Sequence, residues 1–122
     1  MTEEFVTLET AKLLKEKGFN EYCKYVINDK GLMMETIFRT SKDLPKAFYS
    51  RPMQSIAQKW LRETKNMHIC IYNTASGYSY EISKADNGTS IFLLPKGPND
   101  GGKWDTYEEA LEAGLQKALK LI

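Results

Sequence analysis

Residues 52–66, PMQSIAQKWLRETKN, run directly into residues 67–82, MHICIYNTASGYSYEI, and this change of rhythm decides the class of fold. In the first segment Met53, Ile56, Ala57, Trp60 and Leu61 recur at i, i+3, i+4, i+7 and i+8, the spacing of one apolar helix face. Gln54, Gln58, Lys59, Arg62 and Glu63 take the opposite face. Pro52 suits the first helical turn, where its missing N–H is not needed, and Asn66 is a suitable stop. From Met67 the period switches to two. Met67, Ile69 and Ile71 share one face, and His68, Cys70 and Tyr72 share the other. Ala75-Ser76-Gly77 turns the chain, after which Tyr78, Tyr80 and Ile82 alternate with Ser79, Glu81 and Ser83. The spacing predicts a helix running into a β-hairpin, with Trp60 and Leu61 buried against Met67–Ile82.

Downstream, Asn87-Gly88 is the strongest short-range turn signal in the chain and predicts a type I′ hairpin. Ile91-Phe92-Leu93-Leu94 reads as a short continuous apolar strand ended by Pro95, and the next residues, KGPNDGGKW, as a loop. Asp105 or Thr106 caps a last helix, with Glu108 or Glu109 completing a capping box. Tyr107, Leu111, Leu115, Ala118, Leu119 and Ile122 line its core face. Upstream, Thr7 and Gly18 bracket a first helix as N-cap and left-handed exit. YCKYVIN and LMMETIFRT then read as strands joined by an Asp29-Lys30-Gly31 turn, and SKDLPKAFYSR as an irregular connection. The predicted order is αββαβββα: an α+β fold, an antiparallel sheet with helices packed on one face.

With 122 residues the expectation is one domain, 1–122. A net charge of +1 gives the molecule as a whole no electrostatic preference for nucleic acid or membrane. No apolar run approaches the ~20 residues needed to span a bilayer. The start, MTEEFVTLET, is acidic and lacks the basic and apolar regions of a secretion signal, so a cytoplasmic protein without a membrane partner is expected. Two cysteines, Cys23 and Cys70, are too few for a disulfide framework or a structural zinc site and read as buried free thiols.

The run QSIAQKWLRE-x-x-N-x-HI and the ending DTYEEALEAGLQKALKLI resemble small uncharacterised proteins of tailed phages and prophages, over about the last 70 residues. That family carries no assigned activity. The resemblance implies a phage or integrated-element origin and transfers no functional residue.

Gly97-Pro98-Asn99-Asp100-Gly101-Gly102-Lys103-Trp104 has the G-x-x-x-x-G-K spacing of a phosphate-binding loop, between a strand and a helix. Its chemistry opposes that use. Trp104 stands where a Mg²⁺-binding Ser or Thr belongs, and Asp100 places an anion in the cradle. Asp105, Glu108 and Glu109 crowd the helix start where phosphate charge would sit. His68 is the one histidine and has no triad partner nearby in sequence; with Cys70 at i+2 it offers two ligands, short of a metal site. No pair of carboxylates stands out as an acid–base couple. The expectation is a protein that is not an enzyme and has no cofactor.

Charge is unevenly spread. Between Arg39 and Lys65 there are seven bases (Arg39, Lys42, Lys46, Arg51, Lys59, Arg62, Lys65) and two acids (Asp43, Glu63), a net +5, so the rest of the chain carries −4. Lys59, Arg62 and Lys65, with Arg51, form the candidate binding surface. Its bland counterpart is a solvated helix face. The stretch from Pro52 onward also follows the α-β-β-β-α order of a double-stranded-RNA-binding domain, but the acidic start of the last helix opposes phosphate contact there. The sequence therefore points to a small phage-type accessory protein that binds a protein partner. The alternative is a nucleic-acid-binding module using Arg39–Lys65.

Overall fold

A computed structural model describes residues 4–122 of the chain, with side chains for 4–36 and 40–122. The elements are α1 (Leu8–Glu16), β1 (Cys23–Asn28), β2 (Met33–Arg39), β3 (Phe48–Ser50), α2 (Gln54–Thr64), β4 (Met67–Thr74), β5 (Gly77–Lys84), β6 (Ser90–Phe92) and α3 (Tyr107–Lys120). A single 3₁₀ turn, Ser41–Asp43, precedes β3. The fold is α+β and its strand pairs are antiparallel, in the order read from the sequence. The connection before α2 adds the short strand β3. Its three residues carry no readable period, and it exists because Val26, Ile27 and Asn28 pair with Ser50, Tyr49 and Phe48. The strands form two three-stranded sheets rather than one, β2-β1-β3 and β4-β5-β6. Length alone points to one domain; contacts gather the chain into two compact units, Met1–Ala57 and Gln58–Ile122, divided inside α2.

In the first unit Thr7 caps α1, accepting the amide of Thr10. Its end is a Schellman motif: Phe19 N–H reaches Leu14 O at 2.9 Å and Gly18 N–H reaches Lys15 O at 3.3 Å. Gly18 takes φ +96°, which an L-residue resists, and Phe19 is fully buried. Thr10, Ala11 and Leu14 form the buried face of α1, which packs on β1 and β3. Lys15 Nζ donates to Phe48 O and Lys46 O, tying the helix end to the β3 segment. Pro52 does not open α2. It lies before the helix, where its carbonyl accepts Val6 N–H at 3.0 Å, and Met53 O accepts the first helical bonds.

In the second unit β5 is the central strand, and α3 lies across β4 and β5. Gly114 permits that approach, since a Cβ there would stand 2.8 Å from Ile69 Cγ2. A mid-helix glycine otherwise costs about 1 kcal/mol against alanine. Thr106 supplies the cap, accepting Glu109 N–H and donating to Glu109 Oε1 at 3.0 Å. Leu111, Leu115, Ala118 and Leu119 are buried as their spacing predicts, whereas Tyr107 and Ile122 are exposed. In α2 the expected Ala57, Trp60 and Leu61 are buried, but Ile56 is 45% exposed and Gln54, whose spacing puts it on the polar face, is buried, so the covered face is turned away from Ile56 toward Gln54. Gln58 Nε2 donates to Ile69 O at 2.8 Å, covering part of the outer edge of β4. Asn66 closes α2 in the left-handed region (φ +55°). It clamps the β5–β6 turn, donating to Asp86 Oδ1 and accepting from Asp86 and Ala85 N–H. That turn is not type I′: Gly88 is left-handed and Asn87 is not, in a four-residue loop closed by Lys84 N–H to Thr89 O.

Candidate functional site

The charged positions singled out by sequence divide once their contacts are known. Arg51 belongs to the first unit and is half-buried: its Nε donates to Val6 O at 2.7 Å, one Nη approaches Met33 Sδ at 3.4 Å, and the guanidinium lies over Phe5. It is a structural tie and leaves the candidate surface. On α2, Lys59 pairs with Glu63 one turn on at 3.7 Å, and Lys65 Nζ sits 5.5 Å from the Trp60 ring centroid. Arg62 is exposed and makes no ion pair among the described residues. The stripe is on the solvent side of the helix, as its spacing predicts, but two of its three cations already have local work. The Arg39 side chain lies outside the described residues.

The glycine-rich loop is internally satisfied. Gly97 N–H donates to Gly102 O, Gly102 N–H to Asn99 O, Asn99 N–H to Lys103 O and Lys103 N–H to Asn99 Oδ1. Asn99 Nδ2 reaches Ser76 O and Asp105 Oδ1. Trp104 exchanges backbone bonds with Tyr78, and its ring tilts on Tyr80 at 5.4 Å. Glycine is needed because a Cβ on Gly97 would fall 2.3 Å from Lys103 O. The amides of Gly97, Asn99, Gly102 and Lys103 are committed to the loop's own oxygens. The loop is a brace for the β4–β5 hairpin.

His68 and Cys70 stand two apart on β4, opposite Ser83 and Glu81. Among the described residues no group of three His, Cys, Asp or Glu is placed to hold a metal ion. Both cysteines are free thiols, but Cys23 alone of the two is buried; Cys70, also expected inside, is half-buried. Cys23 is buried, which pushes its thiol up to about 11 despite a hydrogen bond with Ser50. Protonated and enclosed, it is a small apolar side chain rather than a nucleophile.

A feature missed by sequence emerges at β6. The apolar run 91–94 reads as one strand, yet the strand ends at Phe92. Phe92 turns inward, stacking on Tyr80 at 6.0 Å with Lys117 Nζ 4.5 Å from its ring centroid. Ile91, Leu93 and Leu94 are 36%, 51% and 85% exposed. Leu94 also adopts φ +58°, the left-handed region that disfavours bulky L-residues. Pro95, the next residue, is buried. Pro95 favours extended backbone in the residue before it, so nothing in the sequence marks Leu94 as left-handed, and exposure itself cannot be read from an apolar run.

No family model, curated protein or solved structure matched the chain in comparison. Among the described residues no helix is long and apolar enough to cross a membrane.

Proposed function

We propose that the chain is a non-enzymatic accessory protein that works by binding a protein partner, of the kind encoded by tailed phages. The observation that carries this reading is the exposed apolar surface of Ile91, Leu93 and Leu94 at the edge of the second sheet. Exposed apolar groups gain free energy when a partner removes them from water, and Leu94, 85% exposed, contributes little to the fold where it stands. The phage setting rests on the resemblance of residues 54–69 and 105–122 alone. The competing reading is nucleic-acid binding through the net +5 segment 39–65, in which Lys59 and Arg62 lie on α2 and Lys65 just past its end. The two separate in one experiment. The chain is tested pairwise by two-hybrid against the products of its neighbouring genes, and in parallel for retention on double-stranded DNA at two salt concentrations. A protein partner lost on Leu93→Asp, with no DNA retention, is the expected result. Salt-sensitive DNA retention abolished by changing Lys59, Arg62 and Lys65 to glutamine, with no protein partner, overturns it.

A further inference from the structure

We infer that Asn87 is a latent modification site: its carboxamide converts to aspartate and isoaspartate through a cyclic imide with Gly88, and the folded β5–β6 turn, clamped by Asn66, sets the rate. The inference is independent of the protein-binding reading above.

The chemistry starts from the sequence. An asparagine side chain is open to attack at Cγ by the backbone nitrogen of the next residue, and glycine there carries no Cβ to obstruct the nitrogen or restrict the backbone. Of the six asparagines in the chain, Asn87 is the one followed by glycine; the others precede Glu21, Asp29, Met67, Thr74 and Asp100. The step balances with water as the sole co-reactant. Gly88 N gives its proton to hydroxide and bonds to Asn87 Cγ, while the Cγ–Nδ2 bond breaks and Nδ2 takes a proton from water to leave as ammonia. Water then opens the imide. Cleavage of the new N–Cγ bond leaves aspartate; cleavage of the original backbone C–N bond leaves isoaspartate, with the chain running through Cγ.

The fold exposes the site and restrains it at once. Every residue from Lys84 to Ser90 is exposed, so water has access. Both reacting groups are nonetheless engaged. Gly88 N–H donates to Lys84 O at 2.8 Å, and Asn87 Oδ1 accepts Thr89 N–H at 2.9 Å. A carbonyl oxygen accepts a hydrogen bond without taking the proton, so Gly88 N must leave Lys84 O before it attacks. Lys84 N–H to Thr89 O, at 2.8 Å, closes the loop around both groups. Attack therefore waits on opening of the turn. Reclosing is far faster than the chemistry, so the rate follows the open fraction.

Asn66 sets that fraction. Its Nδ2 donates to Asp86 Oδ1 at 3.1 Å, its Oδ1 accepts Asp86 N–H at 2.9 Å, and its main-chain oxygen accepts Ala85 N–H at 3.1 Å. These bonds hold the first half of the turn, so losing them raises the open fraction. Once isoaspartate forms, the extra backbone carbon upsets the register in which Lys84 meets Thr89, and the turn no longer closes as it did.

The test follows the full chain in mildly alkaline buffer, folded and in urea, by peptide mapping and mass spectrometry, with isoaspartate scored by enzymatic methylation. In urea Asn87 should convert first of the six asparagines, and Gly88→Ala should slow it. In the folded chain the same conversion should be slower by about tenfold or more, since several hydrogen bonds must open. Asn66→Gly keeps the left-handed backbone and removes the two side-chain bonds. It should speed the folded conversion about two- to tenfold and leave the urea rate unchanged. Asp86→Ala, which loses one of those two bonds, should speed it less. Circular dichroism should show both variants folded; Asp86→Ala carries the comparison if Asn66→Gly is not. Equal rates folded and in urea would overturn the restraint, and an unchanged folded rate in these variants would overturn the clamp. Another asparagine converting first in urea would overturn the site itself.

Discussion

Replacing Leu94 by asparagine should stabilise the protein, although it removes a leucine. An L-residue in the left-handed region costs about 1–2 kcal/mol, and asparagine bears that conformation with less penalty, so about 1 kcal/mol is recovered. The loss is small. Full burial of a leucine is worth about 1.5–3 kcal/mol, and Leu94 is 85% exposed, so its residual burial contributes only about 0.2–0.5 kcal/mol. The balance is a gain of about 0.5 kcal/mol. With a urea slope of about 1–3 kcal/mol/M, the denaturation midpoint should rise by about 0.2–0.5 M at unchanged slope. Leu32 is the control, since it is 60% exposed without positive φ. Leu32→Asn should lower the midpoint or leave it unmoved. If Leu94→Asn lowers the midpoint as much as Leu32→Asn or more, Leu94 is not strained and the reasoning fails.

Trp60→Ala should cost about 3–5 kcal/mol, as truncation of other buried aromatic residues does, because Trp60 is buried in α2 beneath the Lys65 ammonium; an unchanged urea midpoint would show that α2 does not organise its surroundings. Iodoacetamide should alkylate Cys70 well before Cys23 in the native protein, and Cys23 only on unfolding. The Cys23 thiol is held protonated to about pH 11 when folded, so its share of stability is complete below the ordinary thiol pKa and is lost as pH rises through the folded value. A midpoint for Cys23→Ala that still falls as steeply as wild type between those pH values would contradict this assignment. Titration calorimetry with ATP and Mg²⁺ should give no saturable heat from the 97–104 loop; micromolar binding abolished by Lys103→Ala would refute its reading as a brace.

The parts of the fold legible in the sequence are those in which local chemistry and long-range packing agree. Thr7 and Gly18 mark both ends of α1, and the Thr106–Glu109 pair marks the start of α3, because each satisfies amides or carbonyls within a few residues. The hairpin Met67–Lys84 is legible because Met67, Ile69, Tyr80 and Ile82 alternate onto covered positions, although Ser79, whose spacing puts it on the wet face, is also buried. Strand β3 is not legible, since its three residues become a strand only by pairing with β1 residues 20 to 24 positions earlier. Ile56 shows the limit of periodicity: spacing defines which residues share a face, but not how much of that face a neighbour covers. The candidate surface is hidden for a similar reason. A strand and a projecting turn have the same apolar composition, and what separates Phe92 from Leu94 is a backbone angle. Of the four bases chosen by charge, Arg51 is taken by Val6 and Met33, contacts that no charge count reveals.

Backbone amide exchange, measured on the free chain and on its complex with the partner found by the two-hybrid test, addresses the central claim most directly. Exchange should slow across Ile91–Lys96 on binding, while Lys59, Arg62 and Lys65 keep their free-state rates. Protection of the α2 bases with Ile91–Lys96 unchanged would contradict the account and return the binding surface to the basic helix.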